Sequence, residues 1–120
     1  MTIKDAEAYV ASLWDWGILD GCFGTTKIKA EDIDGFVERK GRFLAIETKN
    51  NNVPLKDGQR WAYKALHKTG LFTILIIWGE ANKPERIELW REGKRPCICK
   101  NANLDILKRT VKQWFEDADR

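Results

Sequence analysis

Apolar positions divide the chain into segments of two different periods. Leu71-Phe72-Thr73-Ile74-Leu75-Ile76-Ile77-Trp78 is an almost continuous apolar run rich in β-branched residues, which predicts a strand buried on both faces. Phe36, Val37, Phe43, Leu44, Ala45 and Ile46 predict a pair of similarly buried strands within Ile33–Asn50, with Lys40-Gly41 as a tight turn. Ile87 and Leu89 alternate with Glu88 and Trp90, as in a strand nearer a sheet edge. Cys22 to Lys29 is expected as a first short strand and Cys97 to Lys100 as a last one. Elsewhere the period is helical. Ala6, Tyr9, Val10, Leu13 and Trp14 share one face of a helix capped by Thr2 with Asp5 and ended by Gly17. Lys56 to Lys68 predicts a second helix, with Trp61, Ala62, Ala65 and Leu66 on its apolar side and Gly70 as its stop signal. Asn103 caps a last helix whose apolar face is Leu104, Leu107, Val111, Trp114 and Phe115.

These elements predict an α/β protein with a central mixed sheet flanked by helices. Their order is α-β-β-β-α-β followed by a C-terminal β and α. The strand after the Lys56–Lys68 crossover is expected parallel to its predecessor. At 120 residues the chain is expected to form a single domain, residues 1–120.

Composition narrows the class. Hydrophobic residues make up 43% and charged residues 32%, which argues against disorder. The formal net charge of +3 is compatible with nucleic acid without requiring it. Cys22, Cys97 and Cys99 are odd in number and contain no C-x-x-C pair, so reduced thiols in a cytoplasmic protein are expected rather than a disulfide framework or zinc knuckle. Met1 to Tyr9 holds no apolar run of a signal peptide, and Ile74 to Trp78 is far too short to span a membrane.

The chemistry concentrates at the end of the second strand of the Ile33–Asn50 pair. With a two-residue turn, Arg39 pairs with Arg42 and the pairing runs back until Asp34 faces Glu47. A three-residue turn would make that meeting diagonal. Glu47 and Lys49 are two apart and share a face. An E-x-K at a strand end is by itself usually a surface ion pair. On strands with an apolar body, and with an Asp opposite, the patch instead gathers charges that must be paired or bound to a metal.

Asp34 followed by Glu47-Thr48-Lys49 resembles the D…E-x-K core of the PD-(D/E)XK nuclease superfamily. The likeness extends through Gln59 and Tyr63, covers about residues 30 to 66, and is nearest to small VRR-NUC and Holliday-junction-resolvase-like modules. Ile33, not Pro, precedes Asp34; that Pro is often missing in the family. The resemblance implies a restriction-endonuclease-like core and a deoxyribonuclease, an endonuclease on duplex or branched DNA. It further implies Mg²⁺ as cofactor, with Mn²⁺ able to substitute. Asp34, Glu47 and the backbone carbonyl of Thr48 would supply hard oxygen ligands. Lys49 would orient water or stabilise charge on the phosphate, and Gln59 would position phosphate or water. In resolvase-like members an acidic residue of the first helix joins the metal; Glu7 is the candidate, with a solvated side chain as the plainer reading. Zinc is disfavoured because the patch has no His or Cys.

Around this patch, Asn50 and Asn51 form a polar loop that can hydrogen-bond phosphates or be a plain turn. Lys56, Arg60 and Lys64 give the second helix a basic edge suited to a phosphate backbone. Tyr63, one helical turn from Gln59, would bond a phosphate or only support the helix. His67 is expected at the surface, and Arg91–Pro96 as a solvated basic loop. Trp14, Trp16, Trp90 and Trp114 are too many to bury easily in so small a domain, which together with the need for two sites to cut two strands predicts a homodimer. Two other classes stay open: a nucleic-acid-binding module whose nuclease site is unused, and a protein-interaction or inhibitor domain.

Overall fold

The computed structural model describes residues 2–120. They fall into two compact units, one ending at Asp32 and the other Ile33–Arg120.

The first unit begins with α1 (Ile3–Ser12). Thr2 Oγ1 accepts from the Asp5 amide and Asp5 Oδ2 accepts from the Thr2 amide, both at 3.1 Å, so the expected capping box is present. The helix stops at Ser12 instead of running to Gly17. Ser12 Oγ donates to the Tyr9 carbonyl at 2.6 Å, and Asp15 accepts from the Gly17 amide at 2.9 Å, starting a separate 3₁₀ turn, Trp16–Leu19. Local side-chain bonds of this kind compete with helix propagation. No residue of α1 is buried; Tyr9, Val10, Leu13 and Trp14, expected on a packing face, are exposed. The strand expected over Cys22–Lys29 is absent. Gly21 and Gly24 take φ of 88° and 67°, and Thr26 Oγ1 donates to the Phe23 carbonyl, so turn chemistry overrides the β-branched composition.

The second unit carries the sheet. Its elements are β1 (Gly35–Arg39), β2 (Arg42–Lys49), α2 (Asp57–Lys68), β3 (Phe72–Glu80), β4 (Lys83–Trp90), β5 (Cys97–Cys99) and α3 (Leu104–Ala118). The strands lie side by side in chain order. β2 and β3 are parallel across the α2 crossover, and the other pairs are antiparallel. The α/β class and mixed sheet are as expected, while the order becomes α-β-β-α-β-β-β-α, because the first predicted strand is missing and three strands, the last Cys97–Cys99, follow α2 where the expected order had two. Lys40 and Gly41 both take positive φ, 51° and 80°, so the turn has two residues and Arg39 pairs with Arg42.

β3 is buried on both faces and separates two cores. On one side Ala45, Ile74, Ile76, Trp78 and Trp90 pack under Leu55 and Tyr63. On the other, Leu44, Leu75 and Ile87 pack under Trp114 and Ala118 of α3. The contact stripes of the helices differ from expectation. α2 packs through Tyr63 and Leu66, whereas Trp61 is 69% exposed and Ala62 and Ala65 face solvent. Along α3, Ile106, Leu107, Val111, Trp114 and Ala118 pack, whereas Leu104 and Phe115 are exposed. Among the described residues, no helix is long and apolar enough to cross a membrane.

The β3–β4 turn is only Ala81-Asn82, with Asn82 at φ 61°, and Pro84 lies in β4 rather than in the turn. Opposite Pro84 the ladder shifts register at Gly79, whose φ is 152°. A Cβ there would sit 2.2 Å from the Lys83 carbonyl oxygen, whereas one at Gly41 would meet open space. Gly79→Ala should therefore lose about 1–3 kcal/mol or more in urea unfolding, and Gly41→Ala about 1 kcal/mol. Equal losses would show that the 2.2 Å approach is not limiting.

Candidate active site

Alternation along β2 puts Ala45, Glu47 and Lys49 on the α2 side of the sheet, where Ala45 belongs to the core under Tyr63. Glu47 is therefore an ionisable group on an apolar surface, 5% exposed. Its solvation comes from protein. Tyr63 Oη donates to Oε2 at 2.6 Å, Gln59 Nε2 donates to Oε1 at 3.2 Å, and Lys49 Nζ lies 3.8 Å from Oε1. The parallel crossover explains the supply of donors: α2 starts beside the exit of β2, so its first turns pass over Glu47. Gln59 also accepts from the Lys56 amide at 3.3 Å, tying the start of α2 to the same carboxylate.

Asp34 is just before β1. The register Gly35↔Ile46 is the one expected of a two-residue turn. Asp34 Oδ2 reaches along the strand end and accepts from the Thr48 amide at 2.8 Å and from Thr48 Oγ1 at 3.1 Å. Thr48 thus holds Asp34 in place, a role the sequence reading did not include. Burial pushes the Glu47 carboxyl above the usual range, and the Asp34 charge adds to the rise; Tyr63, Lys49 and Gln59 oppose it.

Gln59 and Tyr63 both donate to the Glu47 carboxylate. Lys56 and Lys64 are exposed and Arg60 partly so, and none forms an ion pair among the described residues. Asn50 is exposed, and its carbonyl accepts from the Val53 amide, closing a turn in which Asn52 takes φ 64°. Asn51 Nδ2 donates to the Glu85 carboxylate. These bonds close the loop as a turn. Glu7 is exposed on α1, in the first unit. His67, expected at the surface, is half-buried against Trp90, with Nε2 2.8 Å from the Arg91 carbonyl oxygen.

Two residues were missed in the sequence. Trp78 pairs with Lys49 across the sheet and donates Nε1–H to the Val53 carbonyl at 2.7 Å, anchoring the loop after β2. Arg86 pairs with Trp78 and stacks over its ring at 4.9 Å, extending a cationic row from Lys49. Only cross-strand register relates these three positions.

Among the described residues, no group of three or more His, Cys, Asp or Glu converges as a metal cage. What the strand end offers is the Asp34 and Glu47 carboxylates with one ammonium, Lys49. These are hard oxygen donors with an excess of negative charge when both are ionised, which fits a hard divalent cation. Asp34 Oδ1 accepts no hydrogen bond among the described residues and is free to ligate. No family model, curated protein or solved structure matches the chain.

The raised Glu47 carboxyl gives a signed expectation for pH. Below the ordinary glutamate value the group is protonated in folded and unfolded chains alike. As pH rises towards the folded value, the unfolded chain loses its proton first and stability falls. The Tyr63 hydroxyl lowers that folded value, so Tyr63→Phe should raise it further and cost about 1–3 kcal/mol at pH 8, with a smaller loss at pH 4. Urea unfolding at both pH values measures this; equal losses would mean that Tyr63 does not stabilise the ionised carboxylate.

Proposed function

We propose that the chain is a Mg²⁺-dependent deoxyribonuclease of the PD-(D/E)XK type, acting on duplex or branched DNA. The observation that carries this reading is the buried Glu47 with Lys49 on the same face and the Asp34 carboxylate at the same strand end. A cation held by Asp34, Glu47 and the Thr48 carbonyl would supply positive charge to the phosphate and acidify a water; Mn²⁺ would serve as well. Tyr63 and Gln59 orient the Glu47 carboxylate from two sides, so it need not reorganise during the reaction. Lys49 holds a positive charge beside it, suited to the charge that builds on the transferring phosphate. Lys56, Arg60 and Lys64, with no carboxylate partners, suit the flanking backbone of the nucleic acid. A homodimer would bring two such sites to one duplex; of the four tryptophans expected to supply its apolar surface, Trp14 and Trp16 are exposed, whereas Trp90 and Trp114 are buried in the cores.

A panel of linear, flap and four-way-junction DNAs with Mg²⁺, Mn²⁺ or EDTA tests the activity. Asp34→Asn and Glu47→Gln should abolish metal-dependent cleavage and weaken Mg²⁺ binding by calorimetry. Lys49→Ala should cut the rate by about 10²-fold or more while leaving Mg²⁺ affinity nearly unchanged. Full activity of Lys49→Ala would defeat the E-x-K reading. Light scattering with and without junction DNA tests the dimer.

A further inference from the structure

On the other face of the sheet, at the opposite end from Glu47, lies a cavity of about 630 Å³. It opens where β3 begins, β4 ends and α3 crosses them. Its floor is apolar: Leu89 from β4, and Ile106, Trp114 and Ala118 from α3. Thr73, Cys97 and Thr110 also line it, and their short side chains leave the space unfilled. The volume lies within the range of small-molecule sites, about 300–1,000 Å³.

The rim is charged unevenly. Four cations line the cavity, Arg42, Arg91, Lys94 and Arg109, against two carboxylates, Glu92 and Asp117. Glu92 is taken by Arg42 at 2.9 Å, and Asp117 faces Arg120 at 3.4 Å. Arg91, Lys94 and Arg109 form no ion pair among the described residues. The loop bearing two of them is held in shape: the Arg91 carbonyl oxygen lies 2.8 Å from His67 Nε2 and accepts from the Lys94 amide at 3.2 Å.

From this pairing of an aliphatic floor with an uncompensated cationic rim, we propose that the cavity binds a small amphiphilic anion, an aliphatic chain ending in a carboxylate or phosphate. The chain would cover Leu89, Ile106 and Ala118, and the head would meet Arg91, Lys94 and Arg109. A nucleic-acid backbone would match the rim but leave the apolar floor uncovered. The site is independent of the nuclease reading, since it shares no residue with the Glu47 patch.

Calorimetric titration of the full chain with dodecyl phosphate and dodecanoate, each below its micelle concentration, tests the proposal. Inorganic phosphate and dodecyltrimethylammonium are the comparison ligands. Saturable binding of either anionic amphiphile is expected, weakened about tenfold or more by Arg91→Gln or Arg109→Gln. The tighter of the two identifies the head group. The rim variants alter surface residues, and circular dichroism verifies their fold. Binding of the cationic amphiphile as tightly as the anions overturns the proposal, as do unchanged affinities in the rim variants or no saturable binding of either anion. So does a concentration-dependent dimer that Ile106→Arg converts to monomer, because the floor would then be covered by a second copy.

Discussion

A carboxylate buried on the inner face of a strand must find its solvation within the protein, and Glu47 sets that constraint for the sheet unit. Water cannot supply it, because the group is almost wholly covered. A phenol, an amide and an ammonium replace it, from Tyr63, Gln59 and Lys49. An unmet buried carboxylate would cost several kcal/mol, so the donors and the acceptor require each other. This ties the start of α2 to the end of β2. It also determines which face of α2 turns inward. Tyr63 goes under the helix to reach Glu47, and Trp61, the larger apolar side chain, is left in solvent.

The parallel β2–β3 pair makes this geometry available. A crossover helix must return from the exit of one strand to the entry of the next, so its first turn lies over the exit end. Glu47, Lys49 and the loop after them sit at that end, with Trp78 anchoring the loop through the Val53 carbonyl. The opposite end of the other face is less completely filled. There Thr73, Cys97 and Thr110 present only short side chains, and the edge strand β5 is only three residues long. The same layered architecture thus produces a tightly satisfied polar patch on one face and an open apolar cavity on the other.

Glu47 also carries opposing influences. Burial and the Asp34 charge favour its neutral form, while Tyr63, Lys49 and Gln59 favour the anion. A cation beside two carboxylates would relieve both unfavourable terms together. Under the proposed reading, this is the physical link between the strand-end geometry and the chemistry.

Much of this was legible in the amino-acid order. The β1–β2 turn follows from Lys40-Gly41, and its two-residue length alone sets the register that brings Asp34 to the end of β2. The apolar run of β3, the Thr2 and Asn103 caps and the parallel crossover follow from equally local rules. Local rules also failed where two of them competed. Cys22–Lys29 has β-branched residues, yet its glycines and Thr26 close turns; Asp15 restarts a 3₁₀ turn where the helix pattern continued. Other features had no local signal at all. That Gln59 and Tyr63 serve Glu47, that Thr48 holds Asp34, and that Arg86 joins the row of Lys49 depend on cross-strand register and on how α2 rolls against the sheet. Periodicity states that a helix has faces. Which face turns inward was decided by the buried carboxylate, because satisfying its charge outweighs covering one more apolar ring.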